Sequence, residues 1–285
     1  MGTSVGQIYG RTLTIIKERF GSLLGLWATF FAINIGLILV FGLVVGFGAL
    51  AGAATSADTG ALGLGVMLFG ILFYVAYILV YCAQSASMTA MASPLQRLTF
   101  GEAMNAGFRS ALPMLLLFII LLVAYFLAAI VVGLLIGILA FAGKAGSLVG
   151  MVLVFIGVMY LACRLCTVNA VIAVERVRNP LTALSRGWAM TRDNALTIFL
   201  ALLGFAVIAI LVIVAALAPA ASLFSAAFNP LGPQPEAPGM GTIIYLIVAG
   251  ILVSITMVIA SATLMSVIHG ELAGPGMHNT DDVFA

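Results

Sequence analysis

The chain has 285 residues, of which 64% are hydrophobic and 7% charged, with a net charge of +2. Apolar runs of about 20 or more residues recur along its whole length, which excludes a soluble globular domain. The small net charge, without a basic tail or a Lys/Arg run, gives no argument for a nucleic-acid partner, and none is expected.

The runs are continuous and rich in Leu, Ile, Val, Ala and Gly. A membrane β-barrel would instead show short alternating segments, so the fold class is all-α, a polytopic helical membrane protein. The N-terminal stretch "MGTSVGQIYGRTLTIIKERFGSLL" interleaves Arg11, Lys17, Glu18 and Arg19 with apolar positions. It has no small-residue cleavage site before the first run, so it is expected to stay on the mature protein. Six transmembrane helices are predicted, at about 21–51, 61–91, 111–141, 147–174, 195–228 and 241–269. Several exceed the ~20 residues a bilayer needs and must tilt, kink or protrude. "AGAATSADTG", "FAGKAGS" and "NPLGPQPEAPGM" join them in pairs, each marked as a loop by Gly, Pro, Asn or Asp. The spans form a single domain, 1–271, followed by a short cytoplasmic tail, 272–285.

The cations are divided unevenly. Arg11, Lys17, Arg19, Arg97, Arg109, Arg164, Arg176, Arg178, Arg186 and Arg192 fall at the N-terminus or around the second and fourth connections, and only Lys144 falls in the odd-numbered loops. This asymmetry predicts an N-in/C-in topology. Ser4-x-x-Gln7 and Thr99-x-x-Glu102 are capping-box patterns, and Asn179-Pro180 is an N-cap followed by proline at the first helical position. Each precedes an odd-numbered span. Arg11 and Lys17 lie seven and thirteen residues after Ser4, as Arg186 and Arg192 do after Asn179, while the middle copy, "TFGEAMNAGFRSALPM", lacks both cations. Three repeats follow, about 4–91, 99–174 and 179–271, each an interfacial helix plus a hairpin. In the third, Leu181, Leu184 and Trp188 form one apolar stripe, with Arg186 and Arg192 off it. Such a helix is expected to lie in the membrane surface with its arginines near lipid phosphates.

"AVERVRNPLTALSRGWAMTRDNALTIF" resembles the membrane domain associated with bacterial glycerophosphoryl diester phosphodiesterases, a family that includes stand-alone six-span proteins. The matching positions are Arg164, Glu175, Ala183-Leu184, Arg186, Trp188 and Thr191-Arg192, with Gly187 and Asp193 where the family pattern has Ser and Gly. Fused members carry a separate soluble phosphodiesterase domain after the membrane part. The resemblance therefore implies an inner-membrane architecture, not a hydrolase activity.

Chemistry has few candidates. Glu18, Glu102, Glu175, Asp193 and Glu271 are singly spaced at the cytoplasmic rim, and neither His269 nor His278 has a ligand-spaced partner. No catalytic residue, metal or cofactor is expected, and the chain is read as not an enzyme. Cys82, Cys163 and Cys166 lie inside apolar runs and read as packing residues. Gly42/Gly46 and Gly133/Gly137 read as close helix packing in lipid. Arg164 stands ten residues inside the fourth span with no acidic residue at mid-span to neutralise it. Three readings compete: a snorkelling flank, an ion pair with Glu18 or Glu102, or the anchor of an anion site helped by Gln84, Asn169, Ser261 and His269. The expected ligand-contacting set is Arg164, Arg186, Arg192, Trp188, Arg176, Arg178, Asn169 and Gln84. The expected partners are membrane lipids, anionic ones first, with a membrane-protein partner as the alternative and a small-solute transporter behind both.

Overall fold

The computed structural model describes residues 4–55, 59–141, 143–220 and 239–273. All regular structure among them is helical: α1 Val5–Thr55, α2 Thr59–Met91, α3 Phe100–Ala140, α4 Gly143–Leu165, α5 Val168–Val174, α6 Pro180–Met190, α7 Ala195–Leu217 with a 3-10 turn at Ala218–Ala220, and α8 Met240–Ala273. Six helices are long and apolar enough to cross a membrane, and the chain is a multi-pass membrane protein. The end of the fifth predicted span beyond 220, nearly all of "NPLGPQPEAPGM" and residues 274–285 lie outside the described residues, so the loop and tail expectations there have no counterpart.

The three helix starts form as their local chemistry dictates. The Ser4 amide donates to Gln7 Oε1 at 3.2 Å and the Gln7 amide donates back to Ser4 Oγ at 3.3 Å. Thr99 and Glu102 close a complete capping box, and those bonds hold the exposed Glu102 carboxyl below the usual carboxylate range. Asn179 Oδ1 accepts from the Leu181 amide at 3.0 Å, with Pro180 in the first turn.

Beyond the caps, the helices run differently from the predicted spans. The segment before the first span is continuous with it, bent only at Arg19, whose φ of −115° and ψ of 15° are non-helical. In the second copy no boundary exists near 111: α3 runs straight through Pro113. The fourth span is divided, because α4 stops at Leu165 and α5 begins at Val168. The first loop is shorter than "AGAATSADTG", since α1 continues to Thr55 and α2 starts at Thr59. At the turn into α4, Gly143 sits at φ +77°, a conformation glycine adopts without penalty.

The core occupies one end of the bundle. It gathers Leu23, Leu26 and Phe30 of α1, Ala83 to Met91 of α2, Met114 of α3, α5 almost entirely, Ile198 of α7, and Leu264 to Ile268 of α8. Small residues let the backbones approach. A Cβ on Gly107 would lie 1.8 Å from Ser87 Oγ, and one on Gly187 2.7 Å from Val168 Cγ2, so the start of α3 seats on α2 and α6 seats on α5. The start of α1 seats on α7 and α8: Tyr9 donates to the Ala201 carbonyl at 2.6 Å, and Ile8, Ile198 and Ile268 share one buried apolar cluster. Towards the other end the side chains of α1, α3 and α4 are mostly exposed. Gly42, Gly46, Gly133 and Gly137 have nothing within 4 Å of where a Cβ would stand, so these stripes make no close helix contact among the described residues. Cys82, Cys163 and Cys166 are free thiols, and Cys166 Sγ donates to the Cys163 carbonyl at 3.1 Å.

Candidate headgroup site at the packed end

The sharpest cluster of polar chemistry grows from the end of α5. Glu175 closes that helix, and Arg176 follows at φ +58°, the left-handed region, reversing the chain toward α6. The Glu175 side chain is 7% exposed and serves two partners. Arg186 Nε of α6 bonds one carboxylate oxygen, and His269 Nε2 of α8 lies 3.0 Å from the other. With the imidazole proton on Nε2, that nitrogen donates to Glu175, and Nδ1 is left buried without a hydrogen-bond partner among the described residues. The knot ties three elements together, so its removal would leave buried polar groups unpaired.

Arg164 lies in the last turn of α4 and is 8% exposed. Its Nε and Nη2 donate to Tyr160 Oη at 3.1 and 3.0 Å, and Nη1 donates to the Trp188 carbonyl at 3.4 Å. The guanidinium carbon stands 5.1 Å from both the Tyr160 and Trp188 ring centroids, and the two rings meet edge to face at 6.1 Å. No ion pair to Glu18 or Glu102 forms. Aromatic faces and neutral acceptors take the place of a counter-charge, which is how a guanidinium, being weakly hydrated, tolerates burial.

The remaining expected ligand residues scatter. Arg176, Arg178 and Arg192 are exposed and make no ion pair among the described residues. Arg186 is held by Glu175, and its side chain is 44% exposed. Trp188 is exposed and covers Arg164, while Asn169 is exposed and Gln84 half-buried, with no hydrogen bond from either to Arg164. On α6 the protein-facing residues are Ala183 and Gly187, leaving Leu181 and Trp188 on the outside. The expected stripe is therefore split, because Leu184 turns toward the core.

A sizeable cleft lies elsewhere. At about 570 Å³, it opens between the first part of α1, the α2–α3 connection and the end of α8. Arg11, Glu18 and Arg19 line it from α1, Leu95 and Arg97 from the connection, and Glu271 from α8. Arg11 Nη1 bonds Glu271 Oε1 at 2.5 Å. Arg19 turns its Nη1 onto the carbonyls of Met91, Ser93 and Gln96, capping the end of α2. Sequence reasoning missed this site, because its walls come from three remote stretches. One signal was available: Arg11, Thr14 and Glu18 recur at i, i+3 and i+7, a polar seam down one helix face.

No family model matches the chain, and no curated protein or solved structure is similar to it.

Proposed function

We propose that this protein is a non-enzymatic inner-membrane protein, N-in and C-in, that engages anionic lipid or another amphiphile from the cytoplasmic leaflet. The observation that carries this reading is the surface of the α5–α6–α7 junction. Three exposed guanidinium groups that form no ion pair among the described residues, Arg176, Arg178 and Arg192, accompany the outward Trp188 and Leu181 of one short amphipathic helix. That pairing of cations with an interfacial aromatic suits a lipid surface, where each Arg is worth about 1 kcal/mol near anionic headgroups. Arg164 acts in this reading through Trp188, fixing the indole that would sit at headgroup level.

The reading includes three repeats arranged in a ring, each entry segment packing on the end of the even-numbered span before it. Three correspondences support it. Arg19 and Asn194 are bent alike, at φ −115°, ψ 15° and φ −117°, ψ 19°, fifteen residues after Ser4 and Asn179. The arginine seven residues after each of these caps pairs with a carboxylate just after such a span, Arg11 with Glu271 and Arg186 with Glu175. The middle copy has Ala106 at the cation's position, and Met91 to Gln96 after α2 include no carboxylate. The resemblance to the phosphodiesterase-associated membrane domain adds the inner-membrane assignment.

Lipid co-purified with the wild type, with Arg176→Gln/Arg178→Gln/Arg192→Gln and with Arg164→Ala tests the binding. Anionic lipid should fall in both variants, and unchanged retention would overturn the proposal. A reporter at the carboxyl end tests the topology, and a periplasmic signal would reverse the leaflet. The alternative, an accessory or scaffold subunit, is favoured by one observation: the outward glycines Gly42, Gly46, Gly133 and Gly137 present small surfaces suited to a membrane partner. Recovery of a stoichiometric membrane protein in mild detergent, lost on Gly133→Leu/Gly137→Leu, would support it instead.

A further inference from the structure

We propose that the cleft between α1, the α2–α3 connection and α8 is a second ligand site, selective for a group that carries both a phosphate and a primary ammonium, as a phosphoethanolamine does. At about 570 Å³ the cleft is within the size range of small-molecule sites. Two of its charges are already committed, Arg11 and Glu271 to each other, and a third, Arg19, to backbone carbonyls. What is left for a ligand is one exposed guanidinium, Arg97, and one exposed carboxylate, Glu18, neither of which forms an ion pair among the described residues.

This pair of opposite, uncommitted charges decides the ligand class. A plain anion entering the cleft meets two carboxylates, and a plain cation meets three arginines. A zwitterion can place its phosphate on Arg97, whose planar fork suits phosphate oxygens, and its ammonium on Glu18, a point charge against a carboxylate. The apolar walls, Ile15, Pro94 and Leu95, suit a glycerol backbone or the start of an acyl chain. A quaternary ammonium has no N–H to donate to Glu18, and a polyol headgroup has no cation for it, so the site favours the primary amine over both. The cleft shares no residue with the Arg176, Arg178 and Arg192 surface, so either assignment can fail alone.

The test uses the full chain in phosphatidylcholine nanodiscs doped with equal small fractions of phosphatidylethanolamine and phosphatidylglycerol, with retained lipid read by native mass spectrometry. A parallel titration uses soluble glycerophosphoethanolamine. With the other surface silenced by Arg176→Gln/Arg178→Gln/Arg192→Gln, the chain is expected to retain phosphatidylethanolamine over phosphatidylglycerol, and the cleft variants are read in that background. Arg97→Gln should lower retention of phosphatidylethanolamine about tenfold, the scale of one lost charge-assisted phosphate contact. Glu18→Gln should abolish the preference, and Glu18→Lys should invert it toward phosphatidylglycerol, a gain that misfolding cannot imitate. The Arg176→Gln/Arg178→Gln/Arg192→Gln substitutions should themselves lower retention of phosphatidylglycerol and leave that of phosphatidylethanolamine unchanged. Binding of the soluble compound would assign the site to a free headgroup, and binding of the lipid alone would assign it to the bilayer. A preference that is absent in the silenced background, or insensitive to both Glu18 and Arg97 substitutions, would overturn the proposal.

Discussion

Leu23, Leu26 and Phe30 of α1 are fully buried, whereas Leu39, Leu43 and Phe47 of the same helix are 61%, 59% and 68% exposed. The chemistry of the two groups is the same and only their height along the helix differs. In water such exposure would be untenable, but in lipid an outward Leu loses nothing, because the acyl chains are as apolar as the protein interior. Order at the packed end comes from close approach, hydrogen bonds and ion pairs. At the open end the bilayer supplies the contacts and the protein supplies little. All the designed-looking polar chemistry, the Glu175 knot, the Arg164 sandwich and the Arg19 cap, belongs to the packed end.

The strongest way to break this contrast is to place the same bulk at glycines in the two regions. Gly107→Leu forces a side chain into Ser87 Oγ and, 2.5 Å away, the rigid Ala83 carbonyl, while Gly133→Leu meets open space. The first should cost about 3 kcal/mol or more and the second less than about 0.5 kcal/mol, measured as the shift in thermal unfolding in one detergent. Equal shifts would mean that the two ends are packed alike.

Within the packed end, Glu175 should be the most sensitive polar residue. Glu175→Ala strands His269, which is fully buried, and frees Arg186, so a loss of about 2 to 3 kcal/mol is expected. Urea unfolding of the single variant, compared with Glu175→Ala/His269→Leu, sharpens the point. Partial recovery in the double variant would show that most of the loss is the orphaned imidazole and not the missing pair.

The local rules carried far in this molecule. Caps at Ser4, Thr99 and Asn179 were legible because each needs only residues two or three positions away. Helix class and the number of spans followed from hydropathy alone. The passage from entry segment to span was not legible: it bends at Arg19, breaks at Thr191 to Asn194 and continues through Pro113. Those choices depend on what the turn packs against. The knot was hidden for the same reason, since Glu175 and His269 are 94 residues apart. Arg164 is different. Tyr160, one helical turn earlier on the same face, was a readable partner, and an aromatic acceptor could have been weighed beside a carboxylate.

Tyr160 also offers a smaller test. Tyr160→Phe keeps the ring over the guanidinium but removes the oxygen that accepts from both Nε and Nη2. A loss of about 1 kcal/mol is expected in the same thermal assay. Trp188 fluorescence should also broaden or shift, because the indole would lose its fixed neighbour. A larger loss for Arg164→Lys than for Tyr160→Phe would show that the planar cation, stacked between two rings, matters more than its hydrogen bonds.

The smallest effect should come from the cleft's own ion pair. Arg11 is 60% exposed at its side chain and Glu271 19%, against 44% and 7% for Arg186 and Glu175, so water and salt screen the first pair more. Glu271→Gln should cost less than about 1 kcal/mol and lose even that at high ionic strength, while the Glu175 variants keep most of their penalty. Measuring both across a salt series separates two jobs that look alike in geometry. A pair that fades with salt orients a surface segment, and one that does not is part of the core. If the two fade together, the Glu175 knot is wetter than its burial implies, and the boundary of the packed end must be drawn nearer to α8.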